Sequence, residues 1–429
     1  MKTIKVVLVG AGDRADVYAG LALEKPEKMQ VVGLVEPDEV RRRIMQEKYN
    51  VPEENCFSSV EEFVQRDKFA DAVINGTLDM LHVPTSVPVL EKGYDLLLEK
   101  PFCVSEEQLW KLQETAQRCG SKVMICHVLR YAPFYSSIKK QVMAGEIGDI
   151  ISVQLTEHVS YHHLGVAYLR GKWANESVCG APILLAKCCH DLDLMMWMMG
   201  GKKPVAVASF GSDYQFKPEN KPQGAGKYCM LDCPAAVEEK CAYSARKNYL
   251  EPEIKWSQYV CRRLQGTELT YENCRNSLMD PENPYGRCVW DCEHDVMDHQ
   301  SVIVNFENGA VGSFTMAGGA AKGERSIHIV GTKGEIKGIL QESKFVIRKA
   351  KGGTSYGEEL YDLKLTGEMD GAYRDHGGGD PRLVEDFVDY LNGAEPSISC
   401  TSLEDSIYSH LTVFRAEKAR KNGTVEKVF

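Results

Sequence analysis

The residues best suited to chemistry begin with Glu99-Lys100-Pro101, which ends the short apolar run Tyr94-Asp95-Leu96-Leu97-Leu98. A buried strand that stops in this way delivers charge to its carboxyl edge, and Pro101 turns the chain out of the sheet there. A lysine held at such an edge, partly desolvated and beside a cationic ligand, has its ammonium form disfavoured and can take a proton near neutral pH. The alternative is a strand-end lysine whose stem reaches solvent. A second group lies between residues 180 and 200, where an apolar stretch carries Lys187, His190, Asp191 and Asp193. Buried charge needs a partner. Read as one helix, Lys187, His190 and Asp191 fall at i, i+3 and i+4, so that one face presents a cation, an imidazole and a carboxylate.

The third group is Gly10-Ala11-Gly12-Asp13-Arg14-Ala15, directly after the β-branched run Ile4 to Val9 and before a helical stretch. Strand, glycine turn and helix in that order predict a dinucleotide fold. Gly10 permits the turn, Gly12 lets a pyrophosphate approach the backbone, and Ala15 is the third small position. Asp13 and Arg14 belong to the same cofactor-binding turn. The next strand, Met29 to Val35, ends in Glu36, 24 residues after Gly12, where a ribose 2′-hydroxyl needs an acceptor. Glu36 favours NAD, whereas Arg41, Arg42 and Arg43 leave NADP as an alternative. Asn75-Gly76-Thr77 ends another strand at the same edge and should line the cofactor site with Gly10 and Glu99.

The elements that must position these groups follow from periodicity. Strands at 70–75, 95–98 and 122–125 alternate with helical segments near 59–66, 85–92 and 105–118, the pattern of a doubly wound parallel sheet. The chain changes character after Cys126-His127, which puts a Rossmann domain at 1–127 and a second α/β domain at 128–429. Strand 149–158 there sets Ile150, Ser152, Gln154, Thr156 and His158 on one face and Ile151, Val153, Leu155 and Glu157 on the other, a sheet with one face covered. The formal net charge of −10 argues against nucleic acid or an anionic membrane as partner, and no apolar run approaches a membrane span. A cytoplasmic protein with a small-molecule partner is expected.

Tyr161-His162-His163 and Tyr168-Leu169-Arg170-Gly171-Lys172-Trp173 make a segment dense in polar and aromatic side chains. Arg170 and the imidazoles can donate to several hydroxyls, and Trp173 offers a flat face to the C–H groups of a sugar or cyclitol ring. An ordinary surface loop is the alternative. From 211 to 291 the composition shifts toward Pro, Gly and charge, with Cys229, Cys233, Cys241, Cys261, Cys274 and Cys288 inside it and Cys292 just beyond. Clustered thiols in a loop-rich insertion suggest a structural zinc, with free thiols or an iron-sulfur cluster as alternatives. Asp375-His376-Gly377-Gly378-Gly379-Asp380 is a glycine-rich turn that lets His376 approach a ligand, with Asp380 as a possible helix cap.

Strand-Gly-x-Gly-x-Arg, Glu-Lys-Pro about 90 residues on, Arg130-Tyr131-Ala132-Pro133, and a helix with His190-x-x-Asp193 together resemble the Gfo/Idh/MocA oxidoreductases over almost the whole chain. The resemblance implies a Rossmann domain followed by an α/β domain with a large open, mainly antiparallel sheet that often mediates dimer or tetramer contacts. It implies that Lys100 is the active-site lysine, that His190 faces the substrate carbon, and that His376 lies near the mouth of the site. Many members carry an aspartate four residues before that histidine, where this chain has Ala186. Lys187 and Asp191 are the candidate substitutes. Members with a similar insertion point to Cys229, Cys233, Cys241 and Cys288 as the zinc quartet. The implied activity is NAD-dependent oxidation or reduction at a secondary hydroxyl or ketone of a sugar, glycoside or cyclitol. The alternatives are a redox-neutral glycosidase working through a transient keto-sugar, and a sugar- or nucleotide-binding regulator.

Overall fold

A computed structural model describes residues 2–261, 269–365 and 376–429. Its first sheet is parallel, in the order β3-β2-β1-β4-β5-β6, built from β1 (Ile4–Val9), β2 (Met29–Val35), β3 (Cys56–Phe57), β4 (Ala72–Asn75), β5 (Asp95–Leu98) and β6 (Val123–Ile125). The strands are nearly continuous apolar runs because helices cover both faces. Register matters most for function. Val9 pairs with both Val35 and Asn75, and Asn75 pairs with Leu98. The residues that follow these four, Gly10, Glu36, Gly76 and Glu99, therefore emerge side by side at one edge, where the strand order reverses about β1.

The second sheet has nine strands in the order β14-β13-β12-β11-β7-β10-β9-β8-β15. They are β7 (Ile150–Ser160), β8 (Pro204–Ser212), β9 (His299–Phe306), β10 (Val311–Ala320), β11 (Glu324–Gly331), β12 (Glu335–Ile339), β13 (Lys344–Gly352), β14 (Ser355–Asp362) and β15 (Val425–Lys427). All neighbours run antiparallel except β7 and β10. Alternation in β7 buries Val153, Leu155 and Glu157, while Gln154 lies on the other face, which also exposes Ile303 and Phe210. Helices lie on the covered face. Beside α1 (Asp13–Ala19), the ones that matter for the site are α2 (Cys189–Met198), α3 (Gly379–Leu391) and α4 (Leu403–Asn422). Ser402 and Asp405 form a reciprocal capping box that starts α4. The insertion leaves the sheet after β8 and returns as β9, and none of its described helices is longer than the nine residues Tyr271–Met279.

Candidate active site

The glycine turn is shaped for close backbone approach. Gly10 has φ +90°, a left-handed value that favours glycine. A Cβ on Gly76 would meet the Ala15 amide nitrogen at 2.9 Å, so the β4 turn and the start of α1 pack against each other through a bare backbone. Glu36 is held by the amides of Ala11 (2.7 Å) and Asp38 (3.0 Å), and its carboxylate oxygens retain acceptor capacity for a ribose hydroxyl. Asn75 serves the turn itself. It takes the Thr77 N–H and hydroxyl on its oxygen and donates to Ser86 and Thr85. Arg14 binds Glu99 through Nε (2.7 Å) and Asp380 through Nη2, while its buried Nη1 has no partner among the described residues. An orphaned donor beside a bare-backbone turn and a placed carboxylate fits a dinucleotide. Such a cofactor would be held by Gly10, Gly12, Asp13, Arg14 and Glu36.

Glu99 joins this turn to Lys100. One carboxylate oxygen accepts from Arg14 and Tyr18, the other from the Lys100 amide at 2.6 Å, and charge pairing keeps its pKa below the ordinary value despite burial. His82 bridges the Pro101 and Thr77 carbonyls, tying the β5 edge to the β4 turn. Lys100 Nζ donates to the Ala186 carbonyl at 3.1 Å. That carbonyl is offered because the stretch expected as one helix is two. Ile183–Ala186 is a short helix, the chain breaks at Lys187-Cys188, and α2 starts at Cys189. His190, in the first turn of α2, is 3% exposed, and neither of its ring nitrogens has a partner among the described residues. Burial, then the nearby Lys100 ammonium, holds its pKa well below the usual histidine value, so the ring is neutral. A neutral imidazole offers one donor and one acceptor, the set that a substrate hydroxyl and its neighbour would satisfy.

The break in the helix corrects the placement of Lys187 and Asp191. Lys187 pairs with Glu157 on β7 at 3.0 Å, and Asp191 accepts from Arg325 Nε on β11 at 3.0 Å. Arg325 also pairs with Glu157 at 2.5 Å. The four charges pair with one another against the sheet, and neither expected substitute for the carboxylate at 186 bonds to His190. The signal available in the sequence was Glu157, a charge on the otherwise apolar face of β7. Burial, opposed by Arg325 and reinforced by Glu157, pushes the Asp191 carboxyl up to about 6. An unfolded aspartate titrates near ~3.9, so the contribution of Asp191 to stability is complete below about pH 4 and is lost as pH rises through about 6. Urea midpoints for the protein and for Asp191→Asn should show the protein's relative stability falling between about pH 4 and pH 7; a constant difference would remove this assignment.

The aromatic segment divides. Trp173 stacks on Tyr168 with ring centroids 5.9 Å apart and donates from Nε1 to Asp79 at 3.0 Å, which links the second sheet's half of the chain to the β4 turn. Asp79 was not singled out by the sequence, although it follows Thr77 by two residues on that turn. His162 accepts from Trp256 of the insertion at 3.0 Å, and His163 has the Trp256 ring 5.7 Å away. Arg170 departs from expectation. It is 3% exposed and spends its donors on Arg287 O (2.7 Å), Tyr243 O (2.8 Å), Tyr249 Oη (3.0 Å) and Cys229 Sγ (3.6 Å). It anchors the insertion, and no substrate hydroxyl could displace so complete a set of partners at low cost.

Cys229, Cys233, Cys241 and Cys288 line one small cavity with Trp290, and all fifteen cysteines are free thiols. Among the described residues, however, no three His, Cys, Asp or Glu side chains are placed to hold a metal ion. The zinc centre expected of this quartet is therefore not supported. Arg170 binds the insertion at four of its residues, and residues 262–268 lie outside the described part. Also among the described residues, no helix is long and apolar enough to cross a membrane.

Comparison with known proteins agrees with this architecture. The oxidoreductase-family NAD-binding Rossmann fold matches residues 4–127, and the C-terminal alpha/beta domain of the same family matches residues 139–428. YteT of Bacillus subtilis is 26% identical over 387 residues, which cover 85% of this chain and 86% of that protein. Inositol 2-dehydrogenase of Corynebacterium glutamicum is 25% identical over 206 residues, 47% of this chain and 56% of that protein. A solved oxidoreductase from Agrobacterium radiobacter, in complex with NAD+, L-tartaric acid and magnesium, superposes with a TM-score of 0.68 over 99% of this chain and 98% of its own, at 14% identity, a likeness of fold. With both family descriptions matched in order, and with the glycine turn, Lys100 and His190 converging on one sheet edge, the chain belongs to the Gfo/Idh/MocA family of NAD(P)-dependent oxidoreductases.

Proposed function

We propose that the protein oxidises a secondary hydroxyl, or reduces the matching ketone, of a sugar, glycoside or cyclitol, with Lys100 as proton acceptor and NAD as the preferred cofactor. The observation that carries this reading is the nearness of Lys100 Nζ, tethered to the Ala186 carbonyl at 3.1 Å, to a buried, neutral His190 whose ring nitrogens have no partner among the described residues. Bound nicotinamide supplies the two-electron acceptor. The chain's own part is to hold the hydroxyl, receive its proton at Lys100 Nζ and exclude water with the buried helix α2. Glu36, held by the Ala11 and Asp38 amides, supports NAD, because a carboxylate there accepts from a 2′-hydroxyl and repels a 2′-phosphate. The inositol 2-dehydrogenase relative supports a cyclitol or sugar as the substrate class.

Incubation with NAD+ and a panel of free sugars, glycosides and inositols should give NADH, read by absorbance, with at least one member. Release of an aglycone from a glycoside without net NADH would replace this reading with redox-neutral cleavage. Absence of both would remove it.

A further inference from the structure

His190 needs a route for protons, and neither Lys187 nor Asp191 reaches it. A different pair does approach. His376, just before α3, lies with its ring centroid 5.7 Å from that of His190. Asp380 in the first turn of α3 accepts on one oxygen, Oδ2, both the backbone N–H of His376 (3.1 Å) and its ring Nδ1 (3.0 Å). An ionised carboxylate only accepts, so this contact assigns the hydrogen to Nδ1 and leaves Nε2 as the basic nitrogen. The other oxygen of Asp380 takes Arg14 Nη2, Arg14 Nε binds Glu99, and Glu99 accepts the Lys100 amide. The contacts thus run from Lys100 through Glu99, Arg14 and Asp380 to His376, beside His190, and Lys100 Nζ is tied to the short helix before α2 through the Ala186 carbonyl. Asp380 is 2% exposed, whereas the His376 side chain keeps 12% of its surface open, so the imidazole touches both the buried centre and solvent.

We infer that His376, oriented by Asp380, is a second proton carrier of this active site, passing the substrate's proton from His190 to water. The inference rests on the dehydrogenase reading above. In the oxidative direction the substrate O–H bond breaks and an N–H bond forms at Lys100 Nζ, while the C–H electron pair leaves with its hydrogen to the bound cofactor. Lys100 then returns its proton to one ring nitrogen of His190, the other ring nitrogen of His190 releases a proton to Nε2 of His376, and His376 gives it to water. Only protons move after the first step, and every group ends as it began. The two nitrogens of His190, unpartnered among the described residues, are the entry and exit that such a transfer needs.

The test uses the full chain loaded with NAD+ and the panel compound that it oxidises fastest. His376→Ala should lower kcat by about 10²-fold, with a smaller effect on KM, and added imidazole should restore turnover in a saturable manner. A purely structural side chain would show no such rescue. Unchanged kcat, or a loss that imidazole leaves untouched, overturns the inference. A second measurement needs no turnover: nitrogen-15 NMR of the histidine rings, with the His376 signal identified by its absence in His376→Ala, should show the Nδ1–H tautomer, altered in Asp380→Ala. An Nε2–H tautomer indifferent to Asp380→Ala also overturns it. If the unaltered enzyme oxidises nothing on the panel, the dehydrogenase reading fails by itself and the NMR result still judges the His376–Asp380 pair.

Discussion

Lys100→Ala lowers turnover by about two to four orders of magnitude and leaves NAD binding and the fold in place, the scale expected when a general base is lost. The prediction separates two roles that meet at this residue. Its backbone amide is held by Glu99 at 2.6 Å, a contact that alanine keeps, whereas Nζ donates to the Ala186 carbonyl at 3.1 Å. Removing the amine therefore costs the fold one charge-assisted hydrogen bond from a half-buried group, and leaves Arg14, Glu36 and the glycine turn untouched. Calorimetry of NAD+ binding should give the same affinity for both proteins within experimental scatter, while the rate of NADH formation collapses. Full activity in the variant would end the assignment of Lys100 as proton acceptor.

Asp193→Ala should be the most destabilising single change near the site, by about 3–5 kcal/mol, because it leaves a buried guanidinium without its counter-charge. Arg130 meets Asp193 in a two-pronged pair, Nε to Oδ2 at 2.7 Å and Nη2 to Oδ1 at 2.6 Å, with side-chain exposures of only 3% and 1%. The pair joins the segment that follows β6 to the helix bearing His190, so it also sets the position of α2 against the first sheet. Asp193→Asn keeps one acceptor and should lose less. Urea denaturation of the three proteins tests this. A midpoint for Asp193→Ala that matches the unaltered protein would show that Arg130 finds another partner and that the pair is dispensable.

What could be read in advance was local. Ile4 to Ala15 carries its own instructions, a β-branched run, a glycine with φ +90° and small residues where backbones meet. Glu99-Lys100-Pro101 was legible for the same reason, since a strand's apolar run and its charged end are neighbours in the chain. The misplacements all involve long side chains whose partners are distant in sequence. Lys187 and Asp191 looked like one helical face toward the substrate, but their partners Glu157 and Arg325 come from strands β7 and β11. Arg170 resembled a sugar ligand until the insertion, 59 to 117 residues later, supplied four acceptors. The cysteines did gather, yet without the spacing of a metal site among the described residues.

The sequence by itself determined the two-part architecture and the strand, glycine turn and helix of the cofactor edge, because hydrophobic period and turn chemistry act over a few residues. Only the tertiary structure decided which charges face the site and which neutralise one another. Desolvation makes every buried charge take the nearest counter-charge, and nearness is a property of packed sheets and helices rather than of the chain. His376 and Asp380 show the same principle in reverse. They stand about 190 residues beyond His190, and the fold returns them to its side.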